Sequence, residues 1–98
     1  MLINVTVVAK DHVERVRKAI PATMPLLPYL ALKVSEETGE AIQAFNRWYF
    51  ALRTKGTLAE LGEELADTVI CAYSLAEEAG LDLNMYIDEK DRILRRRE

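Results

Sequence analysis

The stretch PYLALKVSEETGEAIQAFNRWYFALR, residues 28–53, decides the fold. Within it Leu30, Val34, Ala41, Phe45, Trp48 and Leu52 return at about 100° per residue, the period of one face of an α-helix. Pro28 suits an opening turn, because the first helical position has no backbone hydrogen bond to lose. The spacing therefore predicts one long helix from about Pro28 to Arg53, with Gly56 as a natural stop.

The flanks extend this pattern. Upstream, PATMPLLP (21–28) carries three prolines and reads as a loop. Asp11 and Glu14 form a D-x-x-E helix start, for a helix ending near Ile20. Residues 2–9, LINVTVVA, are β-branched and apolar, and by propensity they read as a short strand or extended arm. Downstream, Thr57 and Glu60 make a T-x-x-E capping box. The helix it opens has an apolar stripe of Leu58, Leu61, Leu65, Val69, Ala72 and Ala76 and ends at Gly80. Asp82 caps a further helix, LNMYIDEKDRILRRR, with Leu83, Tyr86, Ile87, Lys90 and Leu94 at helical spacing. The expectation is an all-α antiparallel bundle of about four helices, in one domain covering 1–98.

A chain of 98 residues buries only part of its surface, so a second copy is expected to complete the core. An apolar fraction of 50% with 30% charged residues separates it from disordered tails. The net charge is −3 and basic residues run together only at the end, so no nucleic-acid polymer is expected as partner. No apolar run approaches the roughly 20 residues that span a bilayer, so no membrane partner is expected either. Cys71 is the only cysteine, which rules out an intrachain disulfide and suits a cytoplasmic location. The start of the chain lacks the basic and apolar regions of a signal peptide.

The carboxylates ask for an explanation. With Glu36 set at 0°, Glu40 lies at ~40°, Glu37 at ~100°, Lys33 at ~60° and Arg47 at ~20°. With Glu60 at 0°, Glu64 lies at ~40°, Asp67 at ~−20° and Glu63 at ~−60°. Both acidic arcs flank an apolar stripe, so two helices packed antiparallel through those stripes bring the arcs to one seam. Like charges at i,i+4 cost a few tenths of a kcal/mol each, and partial burial adds to that. A divalent cation removes the penalty, and hard oxygen ligands suit Mg²⁺ or Mn²⁺. Mg²⁺ commonly bridges to substrate phosphates, which points toward phosphoryl chemistry. The competing view is a pair of solvated acidic faces without an ion.

EETGE at 36–40 followed by EELAD at 63–67 matches E-E-x-x-E, a spacer, then E-x-x-D. On these motifs the chain resembles the MazG-like all-α nucleoside triphosphate pyrophosphohydrolases. LKVSEETGEAIQA, LGEELADTVICAYSLAEEAGLDL and DEKDRILRRR fall in the family's order, from about Leu30 to Arg97. The resemblance implies Mg²⁺-dependent cleavage (Mn²⁺ as a substitute) between the α and β phosphates of a nucleoside triphosphate. The products are a monophosphate and pyrophosphate, a house-cleaning reaction on the nucleotide pool. It implies Glu37, Glu40, Glu64 and Asp67 as metal ligands, with Glu36 a further ligand or a positioner of the attacking water. It maps the family's phosphate-contacting lysine and arginine onto Lys90 and Arg97.

The family's asparagine four residues after that lysine is Leu94 here, which removes a polar contact. Lys33 either binds phosphate or offsets the repulsion among the acids. Trp48 lies near the family's base-stacking aromatic and also on the apolar stripe; Phe45 and Tyr73 share that ambiguity, and Asn46 is a candidate for reading a base edge. Cys71 reads as a small buried thiol. His12, outside the matched region, reads as a surface or capping residue. The family associates as dimers or tetramers, so a homodimer or homotetramer is expected. Two alternatives stand beside this reading: a phosphoribosyl-ATP pyrophosphohydrolase, and a helical interaction or regulatory module that keeps the acidic scaffold without turnover.

Overall fold

The computed structural model describes residues 2–51 and 55–97. They form four α-helices: α1 (Val5–Ala19), α2 (Leu26–Tyr49), α3 (Leu58–Ala79) and α4 (Leu83–Arg96). The fold is all-α, and no strand occurs among the described residues.

The extended arm expected over residues 2–9 is not there: α1 begins at Val5. The Asn4 side chain caps it, accepting a hydrogen bond from the Val7 amide at 3.3 Å. Ala9 and Val13, one turn apart, are buried in the core. Packing of that stripe outweighs the weak strand propensity of the valines. Asp11 and Glu14 accordingly lie inside the helix rather than at its start. Arg17 and Lys18 occupy its last turn, where positive charge favours the helix dipole.

α2 starts two residues before Pro28, with Pro25 at the N-cap position. Pro28 still fits, because the first-turn amides have no intrahelical acceptor. The helix ends at Tyr49, short of the expected Arg53; residues 52–54, and with them Arg53, lie outside the described residues. Gly56 does not cap it. Gly56 is a point of close approach: a Cβ there would come within 2.8 Å of the Arg47 Cβ.

α3 and α4 begin where their local signals place them. The Thr57 hydroxyl accepts from the Glu60 amide at 3.1 Å, and Asp82 accepts from the Met85 amide at 3.3 Å. Gly80 closes α3 with φ 80°, a left-handed conformation that glycine adopts without a side-chain penalty.

α3 is the central helix, with α1 and α2 packed against it. The core consists of Ala9, Val13, Leu30, Ala41, Ala44, Cys71 and Ala76, together with the buried Ser74. Small residues predominate, which lets the helix backbones approach closely. Two of the expected stripes are only partly buried. On α3, Leu58, Leu65 and Val69 face outward at 61%, 50% and 46% exposure. α4 buries no residue at all, and Tyr86, Ile87 and Leu94 lie about half exposed along it.

Candidate metal and substrate site

Antiparallel packing of α2 on α3 brings the two acidic arcs together. Glu36, Glu37 and Glu40 place carboxylate oxygens within 4.8 Å of one another, and so do Glu37, Glu64 and Asp67. Glu37 belongs to both groups and is the point where the rows meet. It is 9% exposed, the deepest charged residue of the site. Glu63 stays on the exposed face, and Glu60 pairs instead with Arg47 at 3.8 Å.

The electrostatics follow from burial. Removal of the Glu37 carboxyl from water, reinforced by Glu40 beside it, pushes its pKa up from 4.5. Lys33 opposes this, lying 3.5 Å from Glu37 and 3.0 Å from Glu36. The hydrogen bond to Glu36 pushes the Lys33 pKa up to about 12, so the ammonium stays charged. One lysine does not satisfy these acids. Glu37 Oε2 and Glu64 Oε2 are buried without a hydrogen-bond partner.

An unpartnered buried carboxylate oxygen is costly. A divalent cation at the seam would offer these carboxylates a partner and offset their crowding, and an all-oxygen donor set is the kind that suits Mg²⁺ or Mn²⁺. Glu37, Glu40, Glu64 and Asp67 would hold it, with Glu36 at the exposed rim.

A cavity of about 400 Å³ opens beside the acids, between α1, α2 and α3. Glu37, Asp67 and Lys33 line one part of it, and His12, Arg15 and Tyr29 another. The sequence does not show that His12 and Arg15 face this cavity, because a helix start at Asp11 leaves out the first turns of the stripe that turns inward. A start at Asn4 puts Val8, His12 and Val16 on one face, at i, i+4 and i+8.

His12 is half-buried rather than a surface or cap residue, and its Nδ1 lies 3.0 Å from Ser74 Oγ. The Ser74 hydroxyl donates its one proton to the Ile70 carbonyl at 2.7 Å. It therefore accepts from His12 Nδ1–H, which leaves Nε2 with the lone pair. Burial, aided by the positive charge of Arg15, lowers the His12 pKa. Cys71 also lines the cavity; burial, with Glu37 nearby, raises its pKa, so the thiol is a poor nucleophile.

The other expected residues lie elsewhere. Trp48 sits in an aromatic cluster, 6.2 Å between ring centroids from Phe45 and 6.1 Å from Tyr49. It lies eight residues beyond Glu40, roughly 12 Å along the α2 axis. The Tyr73 hydroxyl donates to Asn84 Oδ1 at 2.7 Å, tying α3 to the start of α4. Asn46 is exposed. Lys90, Leu94 and Arg97 are exposed at α4, and among the described residues no ion pair joins Lys90 or Arg97 to the acids. No described protein family, curated protein or solved structure matches the chain.

Proposed function

We propose that this chain is a metal-dependent nucleoside triphosphate pyrophosphohydrolase. The observation that carries this reading is the meeting of five carboxylates from α2 and α3 around Glu37, with two buried oxygens left unpartnered. The E-E-x-x-E and E-x-x-D motifs that supply them resemble those of the MazG-like enzymes.

In this reading the reaction adds water across the α–β phosphoanhydride. A P–O bond forms to the water oxygen as the bridging P–O bond breaks, giving a nucleoside monophosphate and pyrophosphate. Mg²⁺, when bound there, would supply neutralisation of the phosphate oxygens and a lowered pKa for a bound water. Glu37, Glu40, Glu64 and Asp67 would hold that ion. Glu36, at the rim with Lys33 donating to it, is left to position the attacking water. The neighbouring cavity, with Tyr29, His12 and apolar Val8, Val16 and Ile70, offers room for the rest of the nucleotide.

The active form is a homodimer or homotetramer. The chain exposes 7403 Å². A compact monomer of this mass exposes about 5,700 Å², leaving an excess of roughly 1,700 Å². The location is cytoplasmic, in keeping with one unpaired cysteine; among the described residues no helix is long and apolar enough to cross a membrane.

The test is product analysis. A panel of ribo- and deoxyribonucleoside triphosphates and phosphoribosyl-ATP is incubated with the protein and Mg²⁺. The reading requires equal amounts of monophosphate and pyrophosphate from at least one of them. Orthophosphate as the first product, or no product with Mg²⁺ or Mn²⁺, overturns it. A second reading, an interaction module without turnover, is favoured by Leu94, which stands where the resembled family has a polar asparagine. Calorimetric nucleotide binding without pyrophosphate release selects it.

A further inference from the structure

Lys33 is held by the acids and also faces the cavity beside them. Its ammonium lies 3.0 Å from Glu36 Oε1 and 3.5 Å from Glu37 Oε1, both on its own helix α2. The same side chain lines the cavity it shares with His12, Arg15 and Tyr29. Its contacts reach one oxygen of Glu37 and leave the other. Oε2 of Glu37 and Oε2 of Glu64 are buried without a hydrogen-bond partner. One ammonium thus offsets only part of the crowding among Glu36, Glu37 and Glu40.

We infer that Lys33 is a displaceable counter-ion: it yields the acidic seam to a divalent cation and turns its ammonium into the adjoining cavity, where it binds the phosphate chain of the substrate. Repulsion drives the exchange. A dication on Oε2 of Glu37 stands a carboxylate's width from an ammonium on Oε1, and like charges that close repel strongly in a site screened from water. The side chain is free to move, because its four-carbon stem is flexible and its point charge has no planar fork to align. It is already 26% exposed. Lysine is protonated at neutral pH with or without the bond to Glu36, so the exchange moves a charge and not a proton.

The cavity changes sign with the exchange. Lys33 and Arg15 line it against Glu37 and Asp67, two cations against two carboxylates. A divalent ion on the carboxylates leaves that lining with an excess of positive charge, and a phosphate chain is attracted only then. Release from Lys33 also leaves Glu36 Oε1 an open acceptor, as the water-positioning role of Glu36 requires. Ion and phosphates therefore bind cooperatively, each raising the affinity for the other.

This inference rests on the metal part of the proposed function, and neither on turnover nor on the identity of the base. The test uses the full chain, Mn²⁺, and inorganic tripolyphosphate as a phosphate chain without a nucleoside. Calorimetry compares wild type with Lys33→Met, which keeps the apolar stem. The variant is expected to bind Mn²⁺ alone about ten-fold more tightly, since no ammonium has to leave. It is expected to bind tripolyphosphate at saturating Mn²⁺ about ten-fold more weakly. Opposite shifts are the signature of the exchange. A lysine that only offsets repulsion moves the first value alone, one that only binds phosphate moves the second alone, and a structural one weakens both; each of these results overturns the inference. Acetylation of the wild-type protein, read by mass spectrometry at Lys33, needs no substituted chain. Mn²⁺ should speed the modification and tripolyphosphate added with it should suppress it. A rate that Mn²⁺ leaves unchanged overturns the inference and spares the metal reading, whereas a wild type that binds no Mn²⁺ overturns both.

Discussion

Glu37 on α2 and Glu64 on α3 each bury a carboxylate Oε2 that has no hydrogen-bond partner, and both belong to the one acidic cluster between those helices. This relationship leaves two buried acceptors that a bound cation would satisfy. Added Mg²⁺ or Mn²⁺ is expected to raise the melting temperature. At a hundred times its dissociation constant an ion that binds only the folded state adds about 2.7 kcal/mol. Glu37→Gln and Glu64→Gln are expected to remove that response, measured by thermal denaturation with and without the ion.

The pH dependence of the metal-free protein has a definite sign. The folded pKa of Glu37 lies above 4.5, so between those two values the folded state holds a proton that the unfolded chain has lost. Stability from this group is full below 4.5 and falls as pH rises through the folded pKa. His12 acts oppositely: its folded pKa lies below 6.5, so stability falls as pH drops under 6.5. The comparison of wild type with Glu37→Gln separates the two. The variant should lose the decline with rising pH, read from urea midpoints between pH 4.5 and 8. A parallel decline in both proteins contradicts the assignment.

His12 serves substrate binding in this account through the cavity it lines. His12→Ala removes a half-buried ring from that cavity, leaving Ser74 its bond to Ile70. KM for the triphosphate is expected to rise about ten-fold, the loss of one hydrogen bond of about 1.4 kcal/mol, with kcat nearly unchanged. A loss confined to kcat would place His12 in the chemical step instead.

The corrected start of α1 has its own test. Asn4→Ala should cost about 1 kcal/mol, the usual value of a lost N-cap, whereas Asp11→Ala should be near neutral. Gly56→Ala forces the Arg47 contact apart and should cost about 1–3 kcal/mol. Denaturant unfolding measures all three.

What the sequence reveals depends on the range of the interaction. Thr57 with Glu60, and Asp82, mark helix starts because a cap is a contact between residues three apart. The convergence of the acids is readable because fixed helical angles place them beside the faces that pack. The start of α1 is not readable from propensity, since Val5, Val7 and Val8 are helical only by virtue of the α3 surface beneath Ala9 and Val13. The exposure of Leu58, Leu65 and Val69 is equally hidden, because periodicity shows that a helix has an apolar face without showing what covers it. The cavity joins residues as distant as His12 and Cys71, a juxtaposition that only tertiary packing creates.

The central claim is that carboxylates from two helices serve one ion in one hydrolytic site. Initial rates of pyrophosphate release with Mg²⁺ test it most directly, comparing wild type with Glu40→Gln from α2 and Asp67→Asn from α3. Loss of a metal contact worth several kcal/mol predicts that each variant falls by about 10²–10³-fold while remaining folded. Pyrophosphate release at the wild-type rate by either variant would contradict the account.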